Sequence, residues 1–334
     1  MGRARAGAAL DALVRHALSH VREQKALPAL LFLFVLASFW FEPFFTALNL
    51  KNVLRQVSML GMVSIGMTLV MLTGGIDLSV GAVAAVAAIV AAKLSDDTLL
   101  LALLVPLLAG LAFGLLNGLL VTRLKITPFI ATLATMLGAR GAAFLISGGE
   151  TVRPREPVAG FSELSRGAIL GIPYLGVLLV LATLFFVVML KYAAFGRRIY
   201  AVGGTEEAAR MMGLEVNRTK LLKYALSGLM AALAGVLLAS RLGSGQPYAG
   251  SGWELTAIAA VVIGGTLTSG GAGSMIGTLY GVLIIGVITN MVNLFGNLPY
   301  WYSNLVTAAL LLVVILLQAV RAAPKAPTQG PSST

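Results

Sequence analysis

The feature that most constrains this chain is its succession of apolar runs, each close to the length that crosses a bilayer as a helix. About twenty residues, rising ~1.5 Å each, match a hydrocarbon core of roughly 30 Å. Runs of that kind fall near 27–45, 54–73, 78–94, 98–121, 127–147, 168–190, 222–241, 254–267, 275–295 and 300–319. They are rich in Gly, Ala and Leu and lack alternation of period two, which predicts helices rather than a barrel. Of 334 residues, 58% are hydrophobic and only 11% charged, whereas a soluble domain carries about a quarter charged. The expected fold is an all-α polytopic membrane protein with about ten transmembrane helices. The run at 254–267 is short for a crossing and 54–73 ends at a Gly pair, so both are expected to be broken or tilted.

Charge sets an expected orientation. Residues 1–26 form a basic, partly amphipathic lead, expected on the cytoplasmic side and lying on the membrane surface. No A-x-A cleavage pattern follows the first apolar run, which is read as an anchor and first span of one membrane domain over 27–321. The tail 322–334 is rich in Pro and Ser and is expected to be disordered in the cytoplasm. With both termini inside, the inward segments hold sixteen of the 24 Lys and Arg residues. The net charge of +11 is then a positive-inside bias toward the lipid bilayer, with no nucleic acid partner implied.

Several chemistries are excluded. The chain has no cysteine, and His16 and His20 both precede the first apolar run. No histidine dyad and no HExxH motif occurs in the spans, so a membrane enzyme is not expected. No G-x-x-x-x-G-K-[ST] motif is present; the segment GGTLTSGG at 264–271 lacks the lysine that would hold nucleotide phosphates.

Two further features stand out. The polar interruption Lys191 to Lys223 holds seven Lys or Arg and a short helix candidate. Thr205 suits its N-cap, Glu206 and Glu207 put acid in its first turn, and Gly213 supplies a stop. Either this is an ordinary basic loop or its helix docks a soluble partner. The second feature is an internal similarity. An apolar helix reaches Gly74-Gly75, passes hydroxyl residues and resumes as a small-residue helix; the same order recurs at Gly264-Gly265. Paired Gly-interrupted segments point to a transport pathway built from repeats, and close helix packing is the simpler alternative.

At GGIDLSVG (Gly74 to Gly81) the chain resembles the permease subunits of ABC importers for ribose and related monosaccharides. The segments Thr127 to Gly141, Ala201 to Gly228 and Arg241 to Ser274 extend the resemblance over roughly residues 50–320. Thr205, Thr256 and Thr266-Leu267 depart from the family's usual Asn, Asp and Thr-Ser. The resemblance implies a homodimer in a bacterial inner membrane, with a periplasmic sugar-binding protein outside. ATP and Mg²⁺ would be bound by a separate ABC ATPase subunit, and this chain would bind no cofactor. The family's coupling motif falls on Gly203, Gly204, Ala208, Ala209 and Gly213. Small residues at Ala208 and Ala209 would let the helix approach a groove on the ATPase, with Glu206, Glu207 and Arg210 fixing its register.

Candidate pathway residues follow from polarity inside apolar runs. Asp77, beside Ser79, is expected to cap the helix starting at 78, with a substrate contact as the alternative, because an isolated carboxylate in a bilayer costs about 2.5–3.5 kcal/mol. Asn117, Asn290 and Asn293 either line the path or hydrogen-bond between helices. Phe144, Tyr280, Trp301 and Tyr302 are candidates to stack on a sugar, the last two equally suiting an aromatic belt. Arg140 lies inside a span and must pair or snorkel. The loops 148–167 and Arg241 to Glu254 are the expected receiving surfaces for a binding protein. A secondary transporter driven by an ion gradient is the alternative class, but it commonly carries more intramembrane acids than Asp77 alone.

Overall fold

The computed structural model describes residues 26–158 and 160–296, with isolated positions from 302 to 312. Its helices are α1 (Ala26–Trp40), α2 (Ala47–Met71), α3 (Val80–Leu94), α4 (Leu99–Thr122) and α5 (Pro128–Ser147). A helical turn, α6 (Glu163–Arg166), and a hairpin of β1 (Ala168–Ile169) and β2 (Ile172–Pro173) follow. Then come α7 (Tyr174–Tyr192), α8 (Ala194–Gly204), α9 (Glu206–Met211), α10 (Val216–Leu242), α11 (Trp253–Ile263) and α12 (Met275–Leu294).

Six of these, α2, α4, α5, α7, α10 and α12, are long and apolar enough to cross a membrane, while α1, α3 and α11 are apolar but shorter. The chain is an all-helical, multi-span membrane protein. Of the expected crossings, 300–319 falls largely outside the described residues, as do the basic lead and the tail. Helix starts follow local chemistry: the hydroxyls of Thr46, Thr98 and Ser274 accept from the amides of Asn49, Leu101 and Gly277, and Pro128 opens α5.

The polar interruption is organised differently from expectation. Instead of one short helix inside a loop, 191–223 contains all of α8 and α9 and two turns of α10. Because α10 begins at Val216 rather than near 222, Lys223 lies within the bundle and is only 1% exposed.

α10 is the central helix, packed against α2, α3 and α4. Its fit against α4 depends on small residues at spacing four. A methyl at Gly110 would meet the Gly228 carbonyl at 2.5 Å, one at Gly114 the Ala225 Cα at 2.9 Å, and one at Gly118 the Leu221 Cα at 3.0 Å. In a membrane such backbone approach, rather than hydrophobic exclusion, brings helices together.

The shortness of α11 has a structural cause. After α10 the chain does not stay at the surface. Gly245 lies against Ala88 and Ile89, and Gly250 against Gly81, so 245–252 descends along α3 by seven residues, or about 10 Å. Arg140 of α5 holds this re-entrant segment, its Nη1 donating to the carbonyls of Pro247 (2.6 Å) and Ala249 (2.9 Å). α11 therefore starts inside the bundle, and its 11 residues, about 16 Å, complete the descent.

Candidate functional site

Two helix breaks lie at the end of the bundle that carries 191–223. The first, residues 72–79, separates α2 from α3; the second, 264–274, separates α11 from α12. They contain the Gly pairs singled out from sequence, but they are built from different chemistry.

The first break surrounds a carboxylate. Asp77 is 0% exposed. Its Oδ1 accepts from the Ser79 amide (3.0 Å) and the Ser79 hydroxyl (2.6 Å), and its Oδ2 from the Ser227 hydroxyl of α10 (2.8 Å). Asn117 of α4 donates to the Ser79 hydroxyl (2.9 Å) and reaches Asp77 at 3.4 Å. The Lys223 Nζ donates to the Val70 carbonyl (3.4 Å), hydrogen-bonds the Thr73 hydroxyl and lies 4.7 Å from the Tyr224 ring centroid. Asp77 thus holds the amide of Ser79, the residue ahead of α3, while also joining α10 and α4. Gly75 leaves the room this requires, since a methyl there would lie 2.9 Å from both Lys223 Nζ and the Tyr224 hydroxyl oxygen.

The second break carries no charge. Its chain is held by backbone bonds, such as Leu267 N–H to the Ala272 carbonyl (2.9 Å). The buried Thr266 hydroxyl has no hydrogen-bond partner among the described residues. Gly264 packs on Gly277 and Thr278 of α12, and Gly265 turns the chain with φ 94°.

The two breaks touch. The Gly271 amide donates to the Leu72 carbonyl (2.9 Å). A methyl at Gly74 would lie 3.0 Å from the Ser269 carbonyl oxygen, and one at Gly270 would lie 2.6 Å from the Gly74 nitrogen. The end of α8 closes this contact at Gly203.

The segment α8–α9 presents two faces. Thr205 precedes α9 in extended conformation, without a side-chain cap bond. Gly213, at φ 76°, ends it: its amide donates to the Arg210 carbonyl (3.0 Å) and the Leu214 amide to the Ala209 carbonyl (3.1 Å). Ala209 is fully buried against Val202, Leu214 and Val216, so it packs against its own chain and offers no small surface to a partner. The outward residues are Gly204, Thr205, Glu207, Ala208, Arg210 and Gly213, with Met211 81% and Met212 68% exposed. Glu206 ties α9 down, accepting from Lys220 (2.5 Å) and Arg210 (3.1 Å). Burial pushes its carboxyl up, but the bonds and charges of Lys220 and Arg210 outweigh this and hold it below the usual carboxylate range.

Other sequence candidates lie elsewhere. Asn290 exchanges two hydrogen bonds with Asn49 (2.8 and 3.0 Å), joining α12 to α2 away from the breaks; Asn293 is exposed. Tyr280 packs against the cluster of Ala26, Ile284 and Ile288 between α1 and α12. Phe144 packs edge-on against the exposed Tyr248 ring, with centroids 4.8 Å apart. Trp301 lies outside the described residues, and Tyr302 is exposed. The loops 148–167 and 241–254 are joined where Val152 and Gly245 exchange backbone bonds of 2.8 Å. Sequence reading missed Lys223, Tyr224 and Ser227. Their signal was present as polar residues at spacing three to four on the helix that follows the basic segment.

Comparison with known proteins assigns this architecture. Residues 49–315 match the family described as branched-chain amino acid transport system / permease component. Among relatives, the ribose import permease protein RbsC of Bacillus subtilis is 44% identical over 296 residues, 88% of this chain and 92% of its own length. RbsC of Escherichia coli K12 is 42% identical over 303 residues, covering 88% and 93%. The L-arabinose ABC transporter permease protein AraH of Azospirillum brasilense is 37% identical over 293 residues, covering 87% and 86%. No solved structure matches. With most of its length matched by the family and by these relatives, the chain belongs to the family of branched-chain amino acid transport system permease components and is a transport subunit rather than an enzyme.

Proposed function

We propose that this chain is the membrane-spanning subunit of an ATP-driven importer that moves a monosaccharide, ribose or a close relative, across a bacterial inner membrane. The observation that carries the proposal is the match, over 88% of the chain, to two permeases named for ribose import. Two copies would form the pathway, with ten crossings each, counting broken and re-entrant ones, and with both termini in the cytoplasm. The two Gly-interrupted segments would line it as repeats, with Asp77, Ser79 and Asn117 supporting the first. A periplasmic binding protein would deliver the sugar to the joined loops 148–167 and 241–254. A separate ATPase subunit would bind ATP and Mg²⁺ and take up α9.

The exposed face of α9 supports that last role. Glu207, Ala208, Met211 and Met212 form a small polar and thioether surface on a hook fixed to α10 through Glu206 and Lys220. Methionine adapts to irregular grooves, which suits a docking surface. In proteoliposomes containing the chain, its ATPase subunit and its binding protein, labelled ribose uptake should require ATP and persist when ionophores collapse ion gradients. Uptake abolished by ionophores and indifferent to ATP would overturn the proposal. Ala208→Trp or Met212→Asp should leave insertion intact and lower uptake at least tenfold, with loss of ATPase co-purification.

A further inference from the structure

Gly203 belongs to the segment read above as the docking motif, yet it faces the opposite way. A methyl there would lie 2.6 Å from the Gly271 nitrogen of the second break and closer still to the Leu72 carbonyl oxygen of the first. No side chain intervenes. One turn earlier on the same face of α8, the Tyr200 hydroxyl donates to the Gly273 carbonyl (2.9 Å). Gly270 and Gly271 adopt φ of 88° and 76°, and a methyl on either would lie 3.1 Å from the Gly203 carbonyl oxygen. Three stretches of backbone therefore meet: the end of α8, the first break at Leu72–Gly74 and the second at Ser269–Gly271.

We infer that Gly203 and Tyr200 are positioning residues that make α8 a single actuator for both helix breaks. Backbone in van der Waals contact transmits displacement without the slack of a rotatable side chain. Only one residue, Thr205, separates α8 from α9, and α9 is fixed by its glycine stop and by Lys220. A push on α9 thus reaches the second break through Gly203 and Tyr200. It reaches the first break through Gly203 at Leu72, while the neighbouring Thr73 is held by Lys223 of α10. Gly203 is required because any side chain would separate the three strands of backbone and let each break move alone.

The inference rests on the reading of α9 as the ATPase docking helix, and the test separates the two. In the complete transporter, Gly203→Ala should insert normally, retain its ATPase subunit in unchanged ratio and keep basal ATP hydrolysis within twofold. Its uptake, and the hydrolysis stimulated by loaded binding protein, should fall at least tenfold. Tyr200→Phe, which adds no volume, should lower uptake two- to fivefold with the ATPase still bound. The chain has no cysteine, so Ser269→Cys provides a single exposed reporter in the second break. Its thiol modification rate should differ at least threefold between nucleotide-free and ATP-trapped transporter, and the difference should vanish in Gly203→Ala. Full uptake by Gly203→Ala, or a reporter in otherwise unaltered protein that ignores nucleotide, would overturn the inference. Should Gly203→Ala fail to insert, normal uptake by Tyr200→Phe would overturn it. Failure of the unaltered chain to retain an ATPase would count against the docking reading instead.

Discussion

The two helix breaks begin from the same sequence pattern and are stabilised in opposite ways. The first encloses Asp77 and ties it through Ser79, Ser227 and Asn117 to α4 and α10. The second has glycines, a buried Thr266 hydroxyl without a partner among the described residues, and backbone bonds. The first break also leaves Asn117 Oδ1 and the Tyr224 hydroxyl without partners among the described residues, but its carboxylate gathers side-chain bonds from Ser79 and Ser227, and removing it would leave those donors unpaired in low dielectric. A glycine-rich break held by backbone bonds has fewer such constraints. The difference teaches that similar interruptions of membrane helices can be braced differently: the first is tied to the central helix at Asp77 while its Leu72 end still meets α8, and the second is positioned mainly by the backbone that touches it.

Removing the carboxylate is the strongest way to break this contrast. Asp77→Ala leaves the Ser79 and Ser227 hydroxyls without their buried acceptor, a change that costs about 1–3 kcal/mol. Detergent-solubilised protein should show a clearly lowered Tm and reduced yield. An Asp77→Ala protein as stable as the parent would show that the carboxylate does not brace the first break. The matching change at the second break should act in the other direction. Thr266→Val deletes a buried hydroxyl with no partner among the described residues, so stability should be unchanged or raised by up to about 1 kcal/mol in the same melting experiment. A loss larger than that would reveal a partner for Thr266 and bring the two breaks closer in kind.

The smallest expected effect concerns the hook that α8 and α9 form beside the breaks. The Glu206 carboxyl is held below the usual carboxylate range, so its contribution is complete above an unfolded-state value near 4.5 and is lost as pH falls through the lower folded value. Glu206 is 43% exposed, so the pair with Lys220 is worth no more than about 1 kcal/mol. Amide exchange across 205–213, corrected for intrinsic rates, should be flat from pH 7 to 5 and rise as pH falls below 4.5. Glu206→Gln should already show the faster exchange at pH 7. Protection that rises on acidification would contradict the sign of this argument.

Much of the molecule was legible from the chain alone because membrane solvation leaves few choices. Apolar runs of bilayer length must be helices, and α4, α5 and α12 lie within a residue of their expected limits. Gly213 marked the end of α9 for an equally local reason, since the turn needs positive φ. What sequence patterning could not supply was contact between distant segments. Ala208 and Ala209 are neighbours of one type, yet one is exposed and the other buried, because α9 is packed from one side only. Asn117 and Asn290 are amides in similar apolar runs, yet one joins the Asp77 network and the other pairs with Asn49.

The sequence by itself thus determined the class, several of the long apolar helices, the two interruptions and the basic segment, all consequences of how residues partition between water and lipid over a local window. Tertiary structure alone decided which polar groups meet. Lys223, which ends a run of loop-like charge in the sequence, is drawn inside because α10 starts two turns earlier and because the Val70 carbonyl and Thr73 hydroxyl accept its hydrogen bonds there. Gly203, one of two adjacent glycines, meets both breaks only because three segments separated by more than sixty residues from one another converge on one point. That convergence depends on backbone positions across the whole bundle, and no local window of sequence contains it.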